Sequence, residues 1–140
     1  MTPPVLMHAS CVAVSGRAVL IIGPSGSGKS SLALTLMALG ATLVADDQTE
    51  ILLEEGRVMA RCPQNLNGVI EARGIGLLTA PASGPAEIAL VADLGQPEPD
   101  RLPPRRKVTI LGRELDLVLG RGNDHFPAAV LCYLQGTRQA

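Results

Sequence analysis

The apolar positions of this chain come in short blocks set apart by glycine and charged residues. Blocks 11–14 and 18–22 flank Ser15-Gly16-Arg17 and predict a β-hairpin. Good helix formers over 30–39 predict a helix, with Gly40 placed to end it. Residues 41–45 form the next predicted strand, which finishes on Asp46-Asp47. Blocks 49–53 and 57–60 predict a second hairpin around Glu54-Glu55-Gly56. Segment 69–80 is apolar but broken by Arg73, Gly74 and Gly76, so it reads as strand ends around a loop. A buried strand is predicted over 88–92, and the four prolines of 95–104 predict a flexible excursion. Blocks 108–111 and 115–119 pair around Gly112-Arg113, and Phe126, Val130, Leu131 and Leu134 share one face of a closing helix. The pattern is that of a single α/β domain over 1–140 with a strand-rich second half, few helices and no internal repeat.

Composition narrows the function classes. A chain of 140 residues is long enough for one real core, and 46% hydrophobic content with 1% aromatics makes that core Val, Leu, Ile and Ala. A net charge of −1 argues against nucleic acid as the main partner, because no basic excess exists to neutralise phosphates. Arg101, Arg105, Arg106 and Lys107 cluster locally and read as a solvated loop. No apolar run reaches the roughly 18 residues of a spanning helix, and the N-terminus lacks the layout of a signal peptide. Cys11, Cys62 and Cys132 are odd in number, widely spaced and without metal-ligand spacing. They read as reduced, mostly buried thiols, and the expectation is a cytoplasmic protein with no membrane partner.

The candidate chemistry starts at Gly23-Pro24-Ser25-Gly26-Ser27-Gly28-Lys29-Ser30, which fits the phosphate-binding pattern G-x-x-x-x-G-K-[ST] at every fixed position. A strand delivers the chain into this loop and a helix leaves it, so backbone N–H groups and the positive helix end face one anion. Lys29 is expected to reach the terminal phosphates of a nucleoside triphosphate, and the Ser30 hydroxyl the accompanying Mg²⁺. Asp46 and Asp47 end the following strand, and in open α/β sheets ligands bind outside such carboxyl ends. One of the two would hold Mg²⁺, directly or through water; the other would accept the proton of an attacking hydroxyl.

His8-Ala9-Ser10, the glycine-rich loop, Leu43-Val44-Ala45-Asp46-Asp47 and Ile70-Glu71-Ala72-Arg73-Gly74-Ile75-Gly76 follow one another in that order. Together they resemble the catalytic domain of HPr kinase/phosphorylase, a bacterial family acting on the phosphocarrier protein HPr, over about residues 5–125. The resemblance implies an α/β P-loop kinase fold of the HPr kinase/PEP carboxykinase type with a mixed sheet. It implies phosphorylation of an HPr serine with ATP or pyrophosphate, and removal of that phosphate by phosphorolysis. On the family's pattern Asp47 is the acid/base and Asp46 its neighbouring carboxylate. Lys29 and the loop amides hold phosphate, Ser30 and Glu71 are magnesium ligands, and His8 is an active-site histidine. Arg101, in Asp100-Arg101-Leu102-Pro103, matches a mobile-loop arginine that assists phosphorolysis. Arg73 has a structural alternative, an ion pair with Glu71 or Asp46.

The usual family member carries an additional N-terminal domain, so this chain reads as a short form. The family's late glycine- and arginine-rich segment is reduced here to Leu119-Gly120-Arg121-Gly122-Asn123-Asp124, and the terminal helix is short. Kinase activity is therefore expected more firmly than phosphorylase activity, and the family's homohexamer remains one possible assembly. Two other readings stay open: a small-metabolite P-loop kinase, with 101–106 as its lid, and a non-catalytic nucleotide-sensing module.

Overall fold

The computed structural model describes residues 2–63 and 68–140. Its strands are β1 (Val5–Met7), β2 (Ser10–Val14), β3 (Arg17–Ile22), β4 (Thr42–Ala45), β5 (Thr49–Glu54), β6 (Arg57–Arg61), β7 (Val69–Ala72), β8 (Gly76–Thr79), β9 (Ala86–Asp93), β10 (Arg106–Ile110) and β11 (Arg113–Leu119). Two helices, α1 (Lys29–Ala38) and α2 (Phe126–Gln135), complete the described residues. Strands run through both halves rather than concentrating in the second, because residues 5–61 already contain β1 to β6.

Nine strands form one mixed sheet in the order β1-β5-β6-β9-β3-β2-β4, with β11 added to β9 and β10 to β11. β9 runs parallel to β3 and to β11, and the other pairings are antiparallel. β6 pairs with the start of β9 and β11 with its end, so both partners lie along one chain edge and the sheet curls around it. Alternation along β2 and β3 sends Cys11, Ala13, Ala18 and Leu20 into the concave core with Ile51, Val58, Ala60 and Ile110. Val12, Val19 and Ile21 point the other way, onto Leu32 and Leu36 of α1 and Phe126, Val130 and Leu134 of α2. Each fully buried Leu or Ile here contributes about 1.5–3 kcal/mol.

Ends and turns follow the chemistry of their residues. α1 closes with the Gly40 N–H donating to Met37 O and the Ala41 N–H to Leu36 O, the two bonds of a Schellman motif. The Arg17 guanidinium closes α2 by donating to Leu134 O at 2.7 Å and Gly136 O at 2.9 Å. Segment 69–80, expected as strand ends around a loop, is a hairpin of β7 and β8 in which Ile70 and Ala72 are buried and β8 is exposed.

Two composition-based expectations are corrected. The basic cluster is a solvated loop only at Arg101 and Arg105, which are exposed; Arg106 and Lys107 lie in β10, paired with Glu98 and Asp116. The bidentate Arg106 contact holds the Glu98 carboxyl below the usual carboxylate range and pins the proline-rich segment. The thiols are not mostly buried either. Only Cys11 is, with its pKa raised by desolvation, whereas Cys62 is half-buried and Cys132 is exposed on α2.

Candidate active site

β2 is antiparallel to both β3 and β4, so its first residues lie beside the last residues of those two strands. β3 runs into the glycine-rich loop, β4 runs into Asp46-Asp47, and the approach to β2 is His8-Ala9-Ser10. Three separate segments therefore meet at one sheet end, around a cavity of about 560 Å³. Ser25, Gly26, Gly28, Lys29, Ser30 and Ser31 form one wall, and His8, Ser10, Asp46 and Asp47 form the floor and rim. The β7–β8 hairpin closes the third side with Val69, Glu71, Arg73 and Leu77.

The loop has the form an anion site needs. Gly23 holds φ 148°, a backbone state that other residues rarely adopt, so the close turn out of β3 favours glycine. Gly28 is the N-cap of α1, no side chain caps its first turn, and that turn contains no acidic residue. The first N–H groups and the positive end of the helix are left for a ligand on the cavity side. Lys29 is buried and its Nζ donates to Gly23 O at 2.9 Å and Pro24 O at 3.1 Å, which holds the ammonium beneath the loop.

The two aspartates differ sharply. Asp46 Oδ1 accepts from Ser10 Oγ at 2.8 Å and from Ser30 Oγ at 2.7 Å, and its Oδ2 accepts the Glu71 N–H at 3.1 Å. Asp47 is 69% exposed at its side chain and faces His8, whose Nδ1 lies 3.4 Å from Oδ1. Its backbone is left-handed, φ 67°, which turns its side chain away from that of its neighbour.

Among the predicted residues, the structure brings His8, Ser25, Gly26, Gly28, Lys29, Ser30, Asp46, Asp47 and Glu71 to one cavity. Gly23, Pro24 and Ser27 support the loop from behind its lining. Arg101 is exposed in the segment after β9 and is not among the lining residues, although Gly95 at the start of that segment packs on Pro24. Arg73 also lines the cavity and, among the described residues, makes no ion pair with Glu71 or Asp46. Sequence reasoning missed Ser10 and Thr49, two buried hydroxyls at this site; Thr49 Oγ1 donates to Ala9 O at 2.8 Å. Their only signal was a hydroxyl residue at the start of each of two strands.

Mg²⁺ takes hard oxygen ligands and is commonly held by one or two carboxylates with substrate phosphates completing its shell. The Ser30 hydroxyl and the Asp46 carboxylate supply such donors beside the loop, and Glu71 lines the same cavity. The described residues contain no cluster of three or more His, Cys, Asp or Glu that could hold a metal ion. Among the described residues no helix is long and apolar enough to cross a membrane.

Residues 1–84 match the family described as the HPr Serine kinase C-terminal domain. The HPr kinase/phosphorylase of Clostridium tetani is 39% identical over 82 residues, covering 59% of this chain and 27% of that protein. That of Bordetella pertussis is 44% identical over 79 residues, 56% of this chain and 26% of the relative. The aligned part is thus about a quarter of the length of these curated relatives. The solved structure of the Hpr(Ser) kinase/phosphatase from Coxiella burnetii superposes with a TM-score of 0.79 at 27% identity, covering 93% of this chain and 88% of that one. It shares the α/β architecture of a mixed, curled sheet. With its family match spanning more than half of its residues, this chain belongs to the HPr serine kinase C-terminal domain family.

Proposed function

We propose that this domain is a P-loop protein kinase of the HPr kinase/PEP carboxykinase type, which transfers phosphate from ATP to a serine of an HPr-like phosphocarrier protein. The observation that carries this reading is the unequal pair at the end of β4. Asp46 is tied to both serines, while Asp47 stands exposed on the cavity rim. A base on an open rim suits a hydroxyl presented by another protein's surface, and a metabolite kinase would bury it under a lid. Family membership and the Coxiella burnetii likeness support the same assignment.

In the forward direction the glycine-rich loop and the α1 N-terminus hold the phosphates, and Lys29 lies beneath them. Asp47 takes the proton of the substrate serine while its oxygen attacks the γ-phosphorus; the bond to the β-phosphate oxygen breaks and ADP leaves. His8 orients Asp47. Ser30 and Asp46, with Glu71, would hold Mg²⁺, which neutralises charge developing on the phosphates. In reverse, inorganic phosphate attacks the phosphoserine phosphorus, Asp47 returns the proton to the serine oxygen, and pyrophosphate forms. The forward mechanism is complete without Arg101, whose part in phosphorolysis requires its loop to reach the cavity.

The test is incubation with labelled ATP, Mg²⁺ and purified HPr, followed by identification of the phosphorylated residue. Label on an HPr serine, absent with Lys29→Met, is the expected result. Label on a metabolite instead, or nucleotide binding with no transfer, would replace this reading with one of the other two. Pyrophosphate release from phosphoserine-HPr on adding phosphate tests the reverse activity.

A further inference from the structure

The geometry points to Ser10 as a positioning residue that couples the metal-side carboxylate of Asp46 to the main chain of Asp47. Ser10 is 0% exposed, and its hydroxyl makes two contacts: it donates to Asp46 Oδ1 at 2.8 Å and accepts the Asp47 N–H at 3.4 Å. A serine hydroxyl has one proton, so the donor is committed to Asp46 and a lone pair is left for Asp47. The same Oδ1 also accepts from Ser30 at 2.7 Å, so the three groups share one oxygen. Any shift of Asp46 on loading of Ser30 is therefore felt at Ser10.

Two further contacts make the coupling local and stiff. The Ala9 N–H donates to Asp47 O at 3.0 Å, and buried Thr49 donates to Ala9 O, fixing the residue from which Ser10 projects. Asp47 holds φ 67°, a backbone state that non-glycine residues adopt only when surrounding bonds enforce it. Ser10, Lys29 and Thr49 are the buried polar side chains among the described residues, and all three lie around this one sheet end. Such hydroxyls in an otherwise apolar sheet hold geometry rather than add to the core.

The chemistry of this inference rests on the kinase reading, whereas its geometry rests on the hydrogen bonds alone, so two readouts separate them. Amide exchange at Asp47, followed by NMR in the nucleotide-free protein, should rise about tenfold in Ser10→Ala while Leu20 and Leu90 in the core stay protected. Turnover with HPr should fall about 10- to 100-fold in kcat with the KM for ATP within about twofold, the pattern of a displaced base. Ser10→Thr keeps the hydroxyl and should restore both. Unchanged Asp47 exchange, a uniform rise across the core, or failure of Ser10→Thr to restore either readout would overturn the coupling. If wild type transfers nothing to HPr yet Asp47 exchange responds as stated, the kinase reading falls and the positioning role stands.

Discussion

Replacing each aspartate in turn separates structure from chemistry. Asp46→Ala removes the acceptor for Ser10, Ser30 and the Glu71 N–H. Ser30 and Glu71 can turn to water in the open cavity, whereas the Ser10 hydroxyl, 0% exposed at the cavity floor, keeps the Asp47 N–H but loses the acceptor for its own proton. One buried unsatisfied group costs about 1–3 kcal/mol. A domain of this size loses about 4 °C of Tm per kcal/mol, so a fall of about 4–12 °C is expected. Asp47→Asn should behave in the opposite way. The side chain is 69% exposed, and asparagine tolerates the left-handed backbone at φ 67°. Its Tm should stay within about 2 °C of wild type, while turnover with HPr falls about 10²- to 10⁴-fold through loss of the base. Thermal melts by circular dichroism, paired with the phosphotransfer assay, read both quantities. An Asp46→Ala protein that melts like wild type would refute the role given to the Ser10 bond. An Asp47→Asn protein that keeps full activity would refute the assignment of the base.

Two other outcomes follow from parts of the fold outside the site. A Cβ on Gly120 would sit 2.4–2.6 Å from ring atoms of buried Phe126, so Gly120→Ala should lower stability by about 1–3 kcal/mol; in denaturant melts, Phe126→Leu should remove part of that loss in the double variant, and strict additivity would count against the clash. Tyr133 is the one tyrosine of the sequence, and desolvation, then its hydrogen bond to Asp116, pushes its pKa up to about 12. Because the folded value is the higher one, this contribution is whole below the unfolded pKa of about 10 and fades as pH rises toward 12. Ultraviolet titration should show the phenol ionising late, and Asp116→Asn should bring the midpoint only part of the way down, since desolvation remains; a wild-type midpoint near 10 would refute the assignment.

The sequence was most legible where a backbone demand is written into residue type. The glycines of the loop, the strand before it and the helix after it all report the same turn. It was less legible where pairing is made by main chain alone: β1 is a three-residue strand bound to β5 through Val5, Leu6 and Met7, and its side chains carry no alternation to read. The strand ends and loop of β7–β8 were legible from Arg73 and the glycines at its turn, but its face was not, because the buried side of that apolar run is only Ile70 and Ala72. The meeting of His8, Glu71 and the glycine-rich loop was legible only through family resemblance. Different roles for the two aspartates were likewise expected only through that resemblance; the contacts that make the pair unequal were not legible, because they are set by one dihedral angle and by a buried serine that reads as neutral in an apolar strand.

The unequal surroundings of Asp46 and Asp47 have a structural origin in the pairing of β2 with β4. Val12 lies opposite Leu43, yet Cys11 lies opposite Ala45, so Val44 is an extra residue on β4. Had the pairing run on without this bulge, Cys11 would face Val44, Ser10 would face Ala45, and Ala9 would face Asp46. The bulge advances β4 by one position and sets Ser10 beside Asp46 and Ala9 beside Asp47, as the Ser10–Asp46 and Ala9–Asp47 hydrogen bonds record. Face matters as much as position. Ser10 shares the parity of Val12, which points onto α1, and Ser30 sits in the first turn of that helix. Both hydroxyls thus approach Asp46 from the helix-covered side and meet at one oxygen. A slip of β2 by one residue would present the alanine or the cysteine instead. The site depends on an irregularity in the sheet, and Val44, an apolar residue with no contact to the reaction, is where that irregularity resides.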